Sequence, residues 1–442
     1  MRLAPPARPS MLPISSRALR GLAASAVLAL PVVIAACGDG GGDPPTAVVT
    51  PPPAPPPTAQ IAPAVRGYVD TALLFTEQVY YYGDTVDWRA KRTRTFARAG
   101  AAQLFRQAHP AIDTAIRELG DPHSFFYPPG QTLGNREDPS GPLYTPTATV
   151  IAPRIGYLWL TSFGGRNPAG RADTLQRLIA RTDSATDACG WIIDQRANIG
   201  GFWPVMLVGI APLVTEGRVG GFVERDPFWR YFYFLRDGAA GLVFPDERTR
   251  RLDSTVFLRQ ASSYRLRRPN PPVAILQGRF TASAGEIVVM AFKDSTRTVR
   301  TFGGPTSGVT TQPYTYRLAD TASIQVTASI MFDRRGRDYA GRSIPPDETV
   351  SGPGVSGSFT SAFQPATRDP VVDAAIAWLQ AQPGCRASAD VPASADGVPM
   401  GRWLPTRGPA GVLPDGRWPR RGTPWTAAPT PAWTGWAALT LH

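Results

Sequence analysis

Lysine is nearly missing from this chain. Lys91 and Lys293 are the two present, although Lys and Arg together number 46. Any chemistry that needs a lysine base must therefore use one of those two. Histidine is also scarce, with His109, His123 and His442 alone. No His-x-x-x-His or Cys-x-x-Cys spacing occurs, so nothing offers a zinc-ligand pattern, and no metal or cofactor is expected. No apolar run is long enough to cross a membrane comfortably; Leu22 to Ala35 falls short. The net charge is +12, but the arginines are scattered and no nucleic-acid motif accompanies them. A basic, solvated surface is expected rather than a nucleic-acid partner.

What is present is unevenly distributed along 442 residues. Arg17 and Arg20 precede the apolar run, which ends in Ile34-Ala35-Ala36-Cys37. This reads as an export signal over 1–37, with Met11 as an alternative start. Small residues before a cysteine at that point suggest lipidation of Cys37, so the chain is expected to be held at a membrane in the bacterial cell envelope. Residues 38–63 are rich in Gly and then Pro, and are expected to form a semi-rigid tether. At the other end, 385–442 is rich in Pro, Gly, Trp and Arg without period, and is expected to be disordered. Export would permit a disulfide between Cys189 and Cys385, but free thiols are equally compatible with the sequence.

Between these ends two regions differ in pattern. Residues 64–130 are expected to be a helical subdomain. Val65, Tyr68, Val69, Ala72 and Leu73 fall at helical spacing. A second helix is expected from Trp88 to about Gln107, and Ile112, Ala115, Ile116 and Leu119 mark a third. Residues 131–384 read as an α/β core. Gly190 to Asp194 and Val273 to Leu276 are short apolar runs, each followed by a helical stretch. Phe228 to Phe234 has high β propensity and reads as a hairpin or a strand excursion. Ile324, Val326 and Ala328 alternate like a half-exposed strand.

Three polar segments attract chemical interest. Ser283 lies between an apolar strand and a helix, in Thr281-Ala282-Ser283-Ala284-Gly285-Glu286. A helix N-terminus favours developing negative charge, which suits a nucleophile. The same residues could be a plain N-cap with a capping box to Glu286. The pair Gly200-Gly201, after Asp194, could offer backbone donors or simply turn the chain. His123 sits in the loop Asp121-Pro122-His123-Ser124, where a solvated side chain and a catalytic base are both readable.

Taken in order, these segments resemble the tail-specific, or C-terminal processing, protease family. The resemblance runs through Leu119 to Ser124, Gly156 to Leu160, Ile193 to Gly201, Thr281 to Glu286, Gly303 to Gly308 and Pro346-Asp347. It implies a Clp protease/crotonase-like α/β core of ββα units. It also implies Ser283 as nucleophile, with backbone N–H groups of Gly200 or Gly201 and of Ala284 holding the oxyanion.

Two departures define the branch. The stretch from Phe126 to Ile155 is too short for the PDZ domain that typical members carry. Val309 stands where typical members place the catalytic lysine, and neither Lys91 nor Lys293 replaces it. The base is then expected to be His123, as in the tricorn-type branch, which lacks the lysine as does the retinoid-binding-protein-like branch. A carboxylate should orient that histidine, with Glu286, Asp338 and Asp347 as candidates. The expected activity is peptide-bond hydrolysis on a peptide or protein substrate. A non-catalytic module binding peptide or apolar ligands on the same fold is the alternative, and acyl-CoA chemistry is disfavoured by export.

Overall fold

The computed structural model describes residues 60–131, 145–164, 166–246, 252–260, 263–355 and 366–386. The expected signal peptide with Cys37, the tether up to Ala59 and the tail beyond Arg386 lie outside the described residues.

Three helices come first: α1 (Pro63–Val79), α2 (Trp88–Ala99) and α3 (Phe105–Arg117). Proline at the start of α1 suits a position whose N–H would have no partner. The Asp87 side chain caps α2 by accepting the Ala90 N–H. The second helix was expected to run to Gln107, but it stops at Gly100, its C-cap, and α3 begins five residues later. His109 therefore lies inside α3, where its Nε2 is 2.7 Å from Asp320 Oδ2. Val69, Leu73, Ile112 and Ile116 form one core with Ile324 and Val326.

The remaining chain adds β1 (Phe125–Tyr127), β2 (Thr147–Ala152), β3 (Ile155–Trp159), α4 (Pro168–Thr186), β4 (Gly190–Asp194) and α5 (Trp203–Gly209). A meander follows through β5 (Gly217–Glu224), β6 (Arg230–Arg236), β7 (Ala239–Pro245) and β8 (Leu252–Arg259). Then come β9 (Val273–Gln277), α6 (Ala284–Phe292), β10 (Val299–Gly303), β11 (Thr311–Arg317), β12 (Ser323–Phe332), β13 (Glu348–Thr349) and α7 (Pro370–Gln380).

These strands form two sheets. The first has the order β13-β10-β9-β4-β3-β2, parallel throughout except for β2. Its central strands are buried on both faces, which is why their sequences are apolar runs rather than alternations. Ile193 and Ile275 face α4, α5 and α6, while Ile192, Ala274 and Leu276 face α7. The second sheet is antiparallel, in the order β1-β12-β5-β6-β7-β8, with β11 on the other edge of β12. The expected hairpin around Phe228 to Phe234 is β5 and β6, and Tyr233 packs in the core against Trp203 and Phe222.

Strand β12 differs from expectation. It was read as half-exposed, yet nine of its ten residues are buried. Its apolar face meets the helices. Its polar face, with Gln325 and Thr327, is covered by the loop that carries His123. Alternating polar side chains here satisfy protein groups, not water.

Two links tie α7 to the first sheet. Cys189 and Cys385 form a disulfide with Cα atoms 5.2 Å apart. Arg196, 1% exposed, pairs with Asp194 at 2.6 Å and with Asp369 at 2.9 Å. Asp369 in turn caps α7 through the Val371 and Val372 N–H groups. A buried arginine with two carboxylates keeps its charge compensated, and removing either acid would leave part of its donor set without a partner.

Candidate active site

Parallel strands leave their carboxyl ends at one edge of a sheet, where ligands gather in open α/β folds. Four turns meet there, following β3, β4, β9 and β10. They are stitched to one another through backbone groups. The Ala282 N–H donates to Asn198 C=O at 2.9 Å, and Thr281 Oγ1 donates to Gln195 C=O at 3.0 Å. The Ser307 N–H donates to Thr281 C=O at 2.9 Å.

Ser283 ends the turn after β9 and heads α6. Its backbone has φ +52° and ψ −116°, a region that non-glycine residues avoid and that costs on the order of 1–3 kcal/mol. The surrounding bonds must hold it there. The principal holder is Glu286, which is fully buried. Its carboxylate accepts the Ser283 N–H at 2.9 Å, the Thr306 hydroxyl at 2.5 Å and the Gly308 N–H at 2.9 Å. Burial raises the Glu286 carboxyl to about 7, against the opposing pull of these donors.

His123 reaches Ser283 from the second sheet. Its Nε2 lies 3.4 Å from Ser283 Oγ, and its Nδ1 lies 2.9 Å from Thr311 Oγ1. Strand β12 sets this placement. It pairs with β1, just after His123, and on its other edge with β11, which begins at Thr311. The His123 N–H donates to Asp121 Oδ1 at 3.0 Å, and Gln325 Nε2 donates to His123 C=O at 3.2 Å. The residue is 8% exposed, and burial lowers the imidazole pKa to about 4, with the Asp121 charge acting in the opposite direction. At neutral pH the imidazole is therefore unprotonated and able to accept a proton.

The glycine pair lies against the serine. A Cβ on Gly200 (φ +102°) would fall 2.8 Å from both Ser283 Cβ and Ala282 O. One on Gly201 (φ +119°) would fall 2.0 Å from the Phe163 carbonyl oxygen. Only glycine fits at either position. The two differ as donors. The Gly200 N–H already donates to Asn198 Oδ1 at 3.0 Å, so this part of the expected oxyanion pair is occupied within the turn. The Gly201 N–H is left, together with that of Ala284, which as the first residue of α6 has no partner inside the helix.

None of the three expected orienting carboxylates touches the histidine. Glu286 serves the serine side. Asp347 accepts from the Thr301 N–H and hydroxyl and from Lys293. Asp338 is paired with Arg342 at 3.9 Å. The group on Nδ1 is instead the Thr311 hydroxyl, which the sequence did not reveal: three residues past Gly308, it looks like any strand threonine. Neither lysine is near. Lys91 donates to Ala115 C=O inside the helical region. Lys293 caps the far end of α6, beside a cavity of about 680 Å³ that also contacts Arg297, Arg337 and Trp378 but neither Ser283 nor His123.

The fold is a Clp protease/crotonase-like α/β core that sets a serine and a histidine together at its strand ends. Residues 154–350 match the model of peptidase family S41, which agrees with the resemblance to tail-specific proteases drawn from the sequence motifs. The nisin-resistance protein of Lactococcus lactis subsp. lactis is 22% identical over 291 residues, covering 65% of this chain and 84% of that protein. The structure of a lipoprotein from Streptococcus agalactiae has a TM-score of 0.53 at 19% identity, covering 72% of this chain and 97% of that one. The photosystem II D1 C-terminal processing protease has a TM-score of 0.47 at 16% identity, covering 66% and 94%.

Proposed function

We propose that this chain is an exported serine peptidase that cleaves peptide bonds through an acyl-enzyme. The observation that carries the reading is the approach of His123 Nε2 to the hydroxyl of a serine held at positive φ. Ser283 Oγ attacks the scissile carbonyl carbon while His123 Nε2 takes the hydroxyl proton. The N–H groups of Gly201 and Ala284 receive the oxyanion, with the dipole of α6 behind them. His123 then gives the proton to the leaving amine, the C–N bond breaks, and water resolves the ester by the reverse sequence.

Export is supported by the Cys189–Cys385 disulfide, since such bonds persist in oxidising compartments. The names of the lipoprotein neighbour and the nisin-resistance relative support a place in the bacterial cell envelope. Acylation of Cys37 would supply the anchor, and the chain would act there on a peptide or protein substrate. A binding module on the same fold, without turnover, is the competing reading.

Labelling with a fluorophosphonate probe tests the proposal. The full chain should label, and both Ser283→Ala and His123→Ala should abolish labelling. A folded wild-type chain that does not label would favour the binding module. Labelling that persists in Ser283→Ala would place the nucleophile elsewhere.

A further inference from the structure

A serine–histidine pair makes an imidazolium during acylation, and a buried imidazolium needs a counter-charge. Thr311 fixes the ring but carries no charge. Glu286, Asp338 and Asp347 are engaged elsewhere, as described above. One acid remains close enough to act on the ring by its charge, two residues away in the same loop. Asp121 Oδ1 accepts the His123 N–H at 3.0 Å and the Thr327 hydroxyl at 2.6 Å. Its second oxygen, Oδ2, is buried with no hydrogen-bond partner. A buried carboxylate oxygen without a donor calls for an explanation, because it holds negative potential that hydrogen bonds would otherwise spread.

We propose that Asp121 is a positioning residue for the reaction: it holds the His123 backbone in place and balances the charge that the imidazole acquires when it takes the serine proton. Asp121 thus fills the role of the orienting carboxylate through the main chain and through space, while Thr311 fixes the tautomer. This rests on the peptidase reading.

The groups facing the histidine are consistent with this division. From β11 comes Thr311, from the turn before α6 comes Ser283, and from β12 comes Gln325 on the His123 carbonyl. Beyond α1, burial pushes the hydroxyls of Tyr80 and Tyr82 up and the Asp121 charge adds to it, the Tyr80 hydroxyl lying close to the Asp121 side chain. Each donates to a main-chain carbonyl, of Leu119 and Ala340 respectively. The surrounding phenols are therefore neutral, and the Asp121 charge is the larger of two influences that oppose the effect of burial on His123, the other being hydrogen bonding to the Thr311 backbone.

The test is the rate of fluorophosphonate labelling of the full chain as a function of pH, for wild type, Asp121→Asn, Asp121→Glu and Thr327→Val. Asp121→Asn keeps the acceptor for the His123 N–H but loses the charge. It should lower the plateau rate about 10- to 100-fold, the scale of one charge lost a few ångströms away in a partly screened interior. It should also move the acid limb, set by His123, to lower pH. Asp121→Glu should restore part of the rate. Thr327→Val removes the other Oδ1 partner and keeps the charge, so its limb should stay where it is in wild type. An Asp121→Asn chain that melts like wild type and keeps the wild-type limb overturns the proposal, even if its plateau falls. If the asparagine variant does not fold, Asp121→Ser, smaller and also neutral, repeats the test. A wild-type chain that does not label at all defeats the peptidase reading instead.

Discussion

Thr311 Oγ1 stands 2.9 Å from His123 Nδ1, the place an aspartate takes in the serine–histidine–aspartate arrangement. A hydroxyl there can receive the Nδ1 proton and so leave Nε2 free to accept from Ser283. Thr311→Val keeps the shape and removes that acceptor. Its fluorophosphonate labelling rate should fall about 10- to 100-fold, less than the loss of the general base itself, because the imidazole remains. Thr311→Ser should stay within about threefold of wild type, since it keeps the same bond. Equal rates for the valine and serine variants would show that Thr311 does not orient the ring.

Glu286 holds three donors with one carboxylate. Glu286→Gln must turn an NH₂ group toward at least one of them. The chain should lose about 2–3 kcal/mol in urea unfolding, the cost of an unsatisfied buried polar contact. Labelling should fall with it, because Ser283 would lose the bond that fixes its strained backbone. A variant as stable and as reactive as wild type would remove Glu286 from this role.

Gly200→Ala places a methyl group 2.8 Å from Ser283 Cβ at a φ of +102°. Both strain and overlap oppose it, at about 2 kcal/mol or more. The displaced neighbour is the nucleophile itself. Labelling should drop further than the melting temperature alone would suggest, and a variant that labels normally would show that the turn can relax without moving Ser283.

The two shifted groups act on stability in opposite senses. His123 is favoured neutral when folded, so the unfolded chain binds its proton first. Its contribution is full above about pH 6.5 and is lost as pH falls to about 4, on the order of 3 kcal/mol in all. Glu286 holds its proton more tightly when folded. Its contribution is full below about pH 4.5 and is lost as pH rises through about 7. The two slopes cancel between about pH 4.5 and 6.5, so these groups should leave wild-type stability nearly flat there. Urea midpoints for wild type and His123→Ala separate them: with Glu286 left alone, the variant's stability should rise as pH falls from about 7 to about 4.5. A variant as flat as wild type over that window would mean His123 is not the group responsible.

The disulfide closes a loop spanning 196 residues in sequence. A loop of that length corresponds to about 5 kcal/mol if chain entropy governs. Replacing Cys189 and Cys385 with serine should lower the unfolding midpoint accordingly, and reductant should then have no further effect. Equal midpoints with and without reductant in wild type would show that the bond adds nothing to stability.

How much of this could be read from the sequence depended on what each residue faces. Strands β4 and β9 were legible because both their faces are apolar, so five residues suffice to mark them. The serine turn was legible because a strand, a serine and a helix follow one another within ten residues. The polar face of β12 misled, because Gln325 and Thr327 look solvated in sequence and are bound by a loop some 200 residues earlier. For the same reason Thr311 was invisible. Its partner is His123, 188 residues away, and nothing in its own neighbours distinguishes it. Asp121 stood in plain view within the histidine loop, but its neighbours did not tell its task from that of an ordinary turn residue.

The serine hangs from the first sheet and the histidine from the second, so the contact between them is set by the single core in which Ile193 and Ile275 of one sheet pack with Phe222, Tyr233 and Met331 of the other. At 3.4 Å that contact has almost no slack before a proton can no longer cross. A repacking of that shared core, touching neither side chain, would therefore reach the pair.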